Sequence, residues 1–289
     1  MSVNGQMHPR NRYREKPDFQ ELIKQFPELA QVSVVDLNGR VRLDYKNAQT
    51  LQTLTKCLLL KDFGLTLELP PDKLVPTLPL RMNYIHWLED IGRAAGWNEN
   101  DPVRGIDIGC GASCIYPLLA VVQSERRWHM LAIEKTPDSL VSAKANVDRN
   151  NLENHIRVVP QVSDGSSILV DVLKTVSDGD ERFHFSMCNP PFFDSSSTAE
   201  LPNRTGKRRE PPNASTGSGE ELSTDGGEVQ FIGQMIRDSL QLKDRISVYT
   251  TMEMSSIDAV YECLSGVLQS IAIELHTLTK DDKLGELMS

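Results

Sequence analysis

No apolar run in the chain approaches the roughly 20 residues that a membrane-spanning helix needs. The longest, Cys114 to Val122, has nine residues and contains Pro117. The N-terminus, MSVNGQMHPR, has no apolar stretch of the secretory kind, so secretion is not expected. Cysteine is sparse: Cys57, Cys110, Cys114, Cys188 and Cys263 form an odd, scattered set with no C-x-x-C pair. A disulfide scaffold or a zinc knuckle is therefore not expected, and a reducing intracellular compartment is. No internal repeat appears. The composition is that of a globular protein, with 39% apolar and 25% charged residues, which argues against disordered, collagen-like and coiled-coil chains. At about 150 residues per domain, 289 residues suit one large domain or two small ones.

Positive charge is scarce overall and unevenly placed. The net charge is −9, yet residues 1–60 carry nine basic and six acidic side chains. The segment 203–210, NRTGKRRE, has four basic residues and one acidic. Each stretch holds +3, so the rest of the chain carries −15. An acidic body with two small basic patches suits nucleic acid only if both patches line one groove; otherwise they are solvated surface.

The first hundred residues read as an appended α+β module. DFQELIKQF has helical spacing from Asp18 to Phe26, with Pro17 at its start. Val32 to Asp36 and Val41 to Tyr45 flank Asn38-Gly39, a hairpin signal. Asn47 caps a helix through QTLQTLTKCLLLKDF, and a further helix is expected over LRMNYIHWLEDIGRAAG. Within it His86 and Trp87 are expected to be packing residues. After Pro102 strands and helices alternate. The strands are expected at Arg104–Ile108, His129–Glu134, Ile156–Pro160, Phe183–Cys188, Arg245–Thr250 and Ser270–Leu275. Alternation of this kind gives a parallel sheet covered on both faces, with ligands at the carboxyl ends of its strands. Residues 194–227 hold only Ala199, Leu201, Ala214 and Leu222 as apolar residues. They are read as a long flexible loop.

Gly105-Ile-Asp-Ile-Gly-Cys-Gly-Ala-Ser113 ends the first strand of the sheet and opens a helix. Its glycines allow a tight turn and close approach of a ligand. Glu134 ends the next strand 23 residues after Gly111, where a carboxylate can accept both hydroxyl hydrogens of a ribose. Ser113 replaces the last glycine of the dinucleotide fingerprint and no Walker lysine is present, so the loop suits an adenosyl ligand without pyrophosphate. Cys110 and Cys114 are read as small side chains of the turn.

Asn189-Pro190-Pro191-Phe192 follows the fourth strand. The prolines fix the backbone and remove donors, which leaves carbonyls free to accept. An exocyclic amine such as adenine N6 is a poor nucleophile because its lone pair is delocalised into the ring. Asn189 Oδ1 and the Pro190 carbonyl can accept its two N–H bonds and aim that lone pair at an electrophile. Phe192 or Phe193 can stack on the flat ring. Methyl transfer from a sulfonium fits this arrangement, because positioning dominates such a reaction.

These residues carry a resemblance. IDIGCGAS, Glu134 and NPPF resemble the motifs of class I S-adenosylmethionine-dependent methyltransferases acting on planar amino groups. Among these, MHPRNRYREKPDF, LNGRVRLDYK, DFGLTLELP, VPTLPLRMNYIHWLED, IDIGCGASCIYPLL and MCNPPFF are similar to the RNA N6-adenosine methyltransferases of U6 spliceosomal RNA and of S-adenosylmethionine synthetase messenger RNA hairpins.

The resemblance implies an α/β fold: a Rossmann-like methyltransferase domain over 79–289 and an RNA-binding module over 1–78, with 194–227 as a basic loop. It implies that Arg81, Asp107, Gly109, Gly111, Glu134, Ser163 and Asn189 meet S-adenosylmethionine, with Arg81 at its methionine carboxylate and Glu134 at its ribose. Asn189, Pro190, Pro191 and Phe192 match the catalytic tetrad. Arg10, Arg12, Lys46, Phe193, Arg204, Lys207, Arg208 and Arg209 fall where RNA is met. S-adenosylhomocysteine would be the product, with no metal. The partner would be structured RNA with an unstacked adenosine, with no membrane and no obligate protein partner, in nucleus and cytoplasm. Two departures are expected to matter. The family's C-terminal region is lacking, and HTLTKDDKLGELMS does not read as the final antiparallel strand of this fold. The chain is thus expected to be truncated or an alternative product. The rival readings are a protein glutamine N5-methyltransferase, which explains the tetrad but not the Arg-rich N-terminus, and a non-catalytic RNA-binding protein.

Overall fold

A computed structural model describes residues 7–97, 101–162, 167–177, 179, 181–191, 193–194, 223–224 and 226–252. The expected strand Ser270–Leu275 and the polar tail lie outside the described residues.

The N-terminal part begins with two short helices, α1 (Phe19–Gln25) and α2 (Pro27–Gln31). The Asp18 carboxylate accepts the amides of Gln20 and Glu21, so Asp18 is the cap and Pro17 lies just outside the helix. A hairpin follows, β1 (Ser33–Val35) against β2 (Val41–Leu43), closed at Asn38-Gly39 and narrower than the sequence suggested. Asn47 Oδ1 accepts the Thr50 amide at 3.0 Å and caps α3 (Ala48–Phe63). α4 (Leu78–Ala94) comes next, with Pro79 in its first turn.

Then come β3 (Val103–Ile108), α5 (Ile115–Gln123), β4 (Trp128–Glu134), α6 (Pro137–Arg149), β5 (Ile156–Pro160), α7 (Val170–Val176) and β6 (Phe183–Cys188). β7 (Phe193–Asp194) pairs with β8 (Ser223–Thr224) in a two-rung parallel bridge. α8 (Gly227–Leu242) and β9 (Ile246–Tyr249) complete the described elements. Asp194 and Gly227, expected in the long loop, thus belong to a strand and a helix.

Five parallel strands form one sheet in the order β5-β4-β3-β6-β9 among the described residues. The chain runs outward from β3 to β5, then returns to β6 on the other side of β3. That reversal leaves a crevice between the carboxyl ends of β3 and β6. Helices cover both faces, which explains why the strands are buried along nearly their whole length. On one face Ile106, Ile108, Leu131, Ile133, Leu173, Met235 and Ile246 pack together. On the other, a single cluster runs from Met7, Leu22 and Leu59 through Met82 and Leu88 to Leu118, Ala132 and Phe185. This cluster crosses residue 78, so the N-terminal elements share their core with the sheet.

Gly105 marks the tightest point of this core. A Cβ placed there would lie 2.2 Å from the Phe185 ring, which is itself wedged between Trp97 and Trp128 at centroid distances of 5.7 and 5.0 Å. Gly105→Ala is expected to destabilise the fold by about 1–3 kcal/mol through overpacking. The denaturant midpoint checks this, and an unchanged midpoint would show that the ring has room to move.

Candidate active site

Strand register assembles the site. Ile108 lies opposite Cys188 on β6 and Ile133 on β4. The Gly109 turn, Asn189 and Glu134 therefore leave the sheet next to one another. They line a cavity of about 360 Å³ together with Arg81, Ser113, Tyr116, Thr136, Gln161, Ile168, Pro191 and Phe231.

At the turn, Gly109 and Gly111 have φ of 74° and 65°. A side chain at either would be strained, and no protein atom lies within 4 Å of where its Cβ would stand. A ligand can therefore approach this backbone closely. Glu134 Oε2 accepts the Gly111 amide at 2.8 Å and Oε1 accepts the Thr136 amide at 2.9 Å. Both oxygens are fixed by the backbone, and each keeps acceptor capacity for a ligand hydroxyl.

α4 delivers Arg81 to the same cavity. Its Nη1 donates to Tyr116 Oη at 2.7 Å and to Asn189 Oδ1 at 3.1 Å, and the guanidinium lies 5.0 Å from the Tyr116 ring centroid. Burial pushes the Tyr116 phenol up to about 12, against the pull of Arg81. The Arg81 bond also defines the Asn189 amide: its oxygen faces Arg81 and has one lone pair remaining. Beneath the turn, Asp107 is fully buried with no hydrogen-bond partner at either carboxylate oxygen, and Arg81 Nε is likewise unpartnered. Burial raises the Asp107 carboxyl to about 8; Arg81 pulls it down and Glu134 pushes it further up. Unsatisfied groups of this kind next to a cavity suit a zwitterionic ligand, with a cation for Asp107 and an anion for Arg81.

The structure therefore brings Arg81, Gly109, Gly111, Glu134, Asn189 and Pro191 to one cavity, while Asp107, near Arg81 and Glu134, and Pro190 are buried and do not line it. Ser163, Phe192, Arg204, Lys207, Arg208 and Arg209 lie outside the described residues. Phe193 is described through its backbone in β7. Arg10, Arg12 and Lys46 do not line the cavity. Arg10 reaches α4, pairing with Glu89 and with Asp90 at 2.6 Å and donating to the His86 carbonyl at 2.9 Å. Arg12 stacks over Phe63 at 4.5 Å and donates to the Asp62 carbonyl at 2.5 Å. Lys46 follows β2, its amide donating to Asp44 at 2.9 Å. His86 is buried, as expected of a packing residue, whereas Trp87 is half exposed.

Tyr116 escaped the sequence reading; its place in the first turn after IDIGCGAS was the available signal. No cluster of three or more His, Cys, Asp or Glu able to hold a metal occurs among the described residues. No helix among them is long and apolar enough to cross a membrane.

Comparison with known proteins adds independent findings. A family model described as RNA methyltransferase matches residues 1–276. The RNA N(6)-adenosine-methyltransferase mettl16 of Danio rerio is 44% identical over 256 residues, covering 87% of this chain and 52% of that protein. The U6 small nuclear RNA (adenine-(43)-N(6))-methyltransferase of Drosophila melanogaster is 42% identical, with 85% and 79% covered. The chain thus spans about half the length of the first of these relatives. A crystal structure of the hMettl16 catalytic domain in complex with MAT2A 3'UTR hairpin 1 superposes with a TM-score of 0.77 at 38% identity, covering 91% of this chain and 86% of that one. The N-terminal domain of human METTL16 in complex with SAH gives 0.72 at 37% identity, covering 92% and 90%.

The raised Asp107 carboxyl makes a statement about stability. The folded protein keeps this group protonated where the unfolded chain, near 3.8, has lost its proton. Stability from this group is complete at low pH and is lost as pH climbs from about 4 towards about 8. In the absence of ligand, Asp107→Asn should flatten that decline. Melting temperature between pH 5 and pH 8.5 measures it, and parallel profiles for the two proteins would oppose this account of Asp107.

Proposed function

As the chain belongs to the RNA methyltransferase family that includes the METTL16 enzymes, we propose that it methylates adenine N6 of an unstacked adenosine in structured RNA, using S-adenosylmethionine. U6 small nuclear RNA and messenger RNA hairpins are the substrate types that its relatives suggest. The observation that carries this reading is the convergence of Arg81, Glu134 and Asn189 on one cavity, joined by the Arg81–Asn189 hydrogen bond.

The residues fit the cofactor. The Gly109 turn leaves open space for it, Glu134 presents two oriented oxygens to a ribose, Arg81 offers its charge to a carboxylate, and the unpartnered Asp107 carboxyl is available to accept from an ammonium. When bound, S-adenosylmethionine supplies an electrophilic methyl on a sulfonium. Asn189 does the positioning: the Oδ1 lone pair that Arg81 leaves free accepts one N6 hydrogen and the Pro190 carbonyl accepts the other. The amine nitrogen is thereby held closer to tetrahedral geometry, with its lone pair aimed at the methyl. No base need act first, since a proton leaves the nitrogen after the new bond has formed. Pro190 and Pro191 keep the backbone from relaxing out of this shape. Ser163, Phe192 and Phe193 belong to the proposal as neighbours of the two adenine rings. Arg10, Arg12, Lys46 and the Arg204, Lys207, Arg208 and Arg209 cluster belong to it as the cations of an RNA groove on a body that otherwise repels phosphate.

Asn189→Ala should lower methyl transfer to a hairpin RNA about 10²–10³-fold with the fold intact. Retained turnover in a radiolabel assay would sink the assignment. Glu134→Ala should instead weaken cofactor binding by about 1.5–3 kcal/mol, read by calorimetry. RNA affinity without cofactor should stay where it was. Methylation of a glutamine peptide rather than RNA would move the enzyme to the amide-methylating branch.

A further inference from the structure

Behind Asn189 three hydrogen bonds run in one direction. The Cys188 amide donates to Tyr84 Oη at 3.3 Å, Tyr84 and Thr250 Oγ1 share a hydrogen bond of 2.8 Å, and Thr250 Oγ1 donates to the Ser186 carbonyl at 2.8 Å. Thr250 spends its single proton on Ser186, so Tyr84 is the donor to Thr250 and the acceptor for Cys188. Tyr84 is 5% exposed and Thr250 7%, so water has little access to the chain. Two further bonds hold the same strand end: the Thr250 amide to the Ser186 carbonyl at 2.9 Å and the Met252 amide to the Cys188 carbonyl at 2.8 Å. The Tyr84 ring meets Tyr116 edge-on at 5.5 Å, and Tyr116 in turn carries Arg81.

Three observations set Tyr84 apart from ordinary packing. It lies one turn after Arg81 on α4, so one helix reaches both the side chain and the backbone side of Asn189. Its hydroxyl grips the residue directly before Asn189. And every donor in the chain is used, so removal of the Tyr84 hydroxyl leaves the buried Cys188 amide unpaired.

We infer that Tyr84, acting with Thr250, is a positioning residue that fixes the backbone at Cys188 and so sets the aim of Asn189. The inference rests on the proposed methyl transfer but concerns residues outside the Asn-Pro-Pro motif. The reacting amine must be held to within a fraction of an ångström, and a small backbone shift at residue 188 swings the Asn189 oxygen by more than that. Glu134 and the Gly111 amide lie outside this chain, and Tyr84→Phe keeps the ring that packs on Tyr116, the hydrogen-bond partner of Arg81. Burial raises the Tyr84 phenol far above its ordinary value, so it stays a donor at any working pH.

The test uses the full chain, S-adenosylmethionine and a hairpin RNA with an unpaired adenosine. Tyr84→Phe should lower kcat about tenfold, with the cofactor Kd and the RNA KM nearly unchanged. The loss should be the same at pH 6.5 and pH 9. Thr250→Val should reproduce it, and Thr250→Ser, which keeps the hydroxyl, should restore it. The double variant Tyr84→Phe with Thr250→Val should be no slower than either single one, because both cut the same chain. Should Tyr84→Phe fail to fold, the Thr250 pair carries the comparison. A wild-type kcat in Tyr84→Phe or Thr250→Val, or a loss matched in cofactor Kd, overturns the inference. Asn189→Ala runs alongside: activity surviving there strikes at the methyl-transfer reading instead. A readout free of activity is hydrogen exchange at the Cys188 amide, which should quicken in Tyr84→Phe; unchanged exchange counts against the clamp.

Discussion

Ile108 faces Cys188 across the last rung between β3 and β6, and the site cannot form without that pairing. Each strand ends by releasing a segment with its own chemistry, glycines from one and asparagine with prolines from the other. Only their parallel alignment, with both carboxyl ends at the same height, puts the glycine turn beside the Asn189 amide. A slip of one residue would reverse which side chains face each helical layer. Asp107 would then leave the Arg81 side, and Ile106 and Ile108 would lose their buried cluster. The apolar cost of the slip is what keeps the chemistry aligned.

α4 performs the second task of alignment. Its inner face presents Arg81 and Tyr84 to the crevice, while its outer turns present Glu89 and Asp90 to Arg10. The N-terminal stretch is fastened along it: the His8 amide donates to Asn83 at 2.9 Å and Asn11 donates to the Pro79 carbonyl at 2.8 Å. Arg10, proposed to meet RNA, is thus tied to the helix that carries Arg81, proposed to hold the cofactor. Arg10 already has acidic partners, so its charge towards a phosphate is partly spent, whereas its hold on α4 is direct.

Much of this was legible in the sequence, for physical reasons that differ by element. Ile156–Pro160 and Phe183–Cys188 were readable to the residue because each is an apolar-rich stretch, interrupted only by Arg157 or by His184 and Ser186, with polar residues at both ends. Asn47 announced α3 through a side chain that competes with the backbone for its amides. α2 was missed because five residues behind a proline show no period, and the β7–β8 bridge because two rungs show none either. The site was legible where it is local: the glycine turn, Glu134 at a strand end, Asn189 with its prolines. Arg81 was placed by resemblance alone. Tyr116, Thr250 and Met252 reach the site through contacts across 35 to 171 residues, and no spacing in the sequence encodes that.

The hydrogen bonds of Tyr84 span 104 residues to Cys188 and 166 to Thr250. A chain emerging from the ribosome meets these partners in order, α4 early and Thr250 late. A nascent chain released before Thr250 would already contain the glycine turn, Glu134 and the whole tetrad, yet the end of β6 would still lack the neighbour that grips it. Premature termination therefore yields an incomplete clamp rather than a smaller enzyme. Thr250 follows β9, so among the described elements the end of β6 gains this neighbour only after nearly the whole described chain has been made.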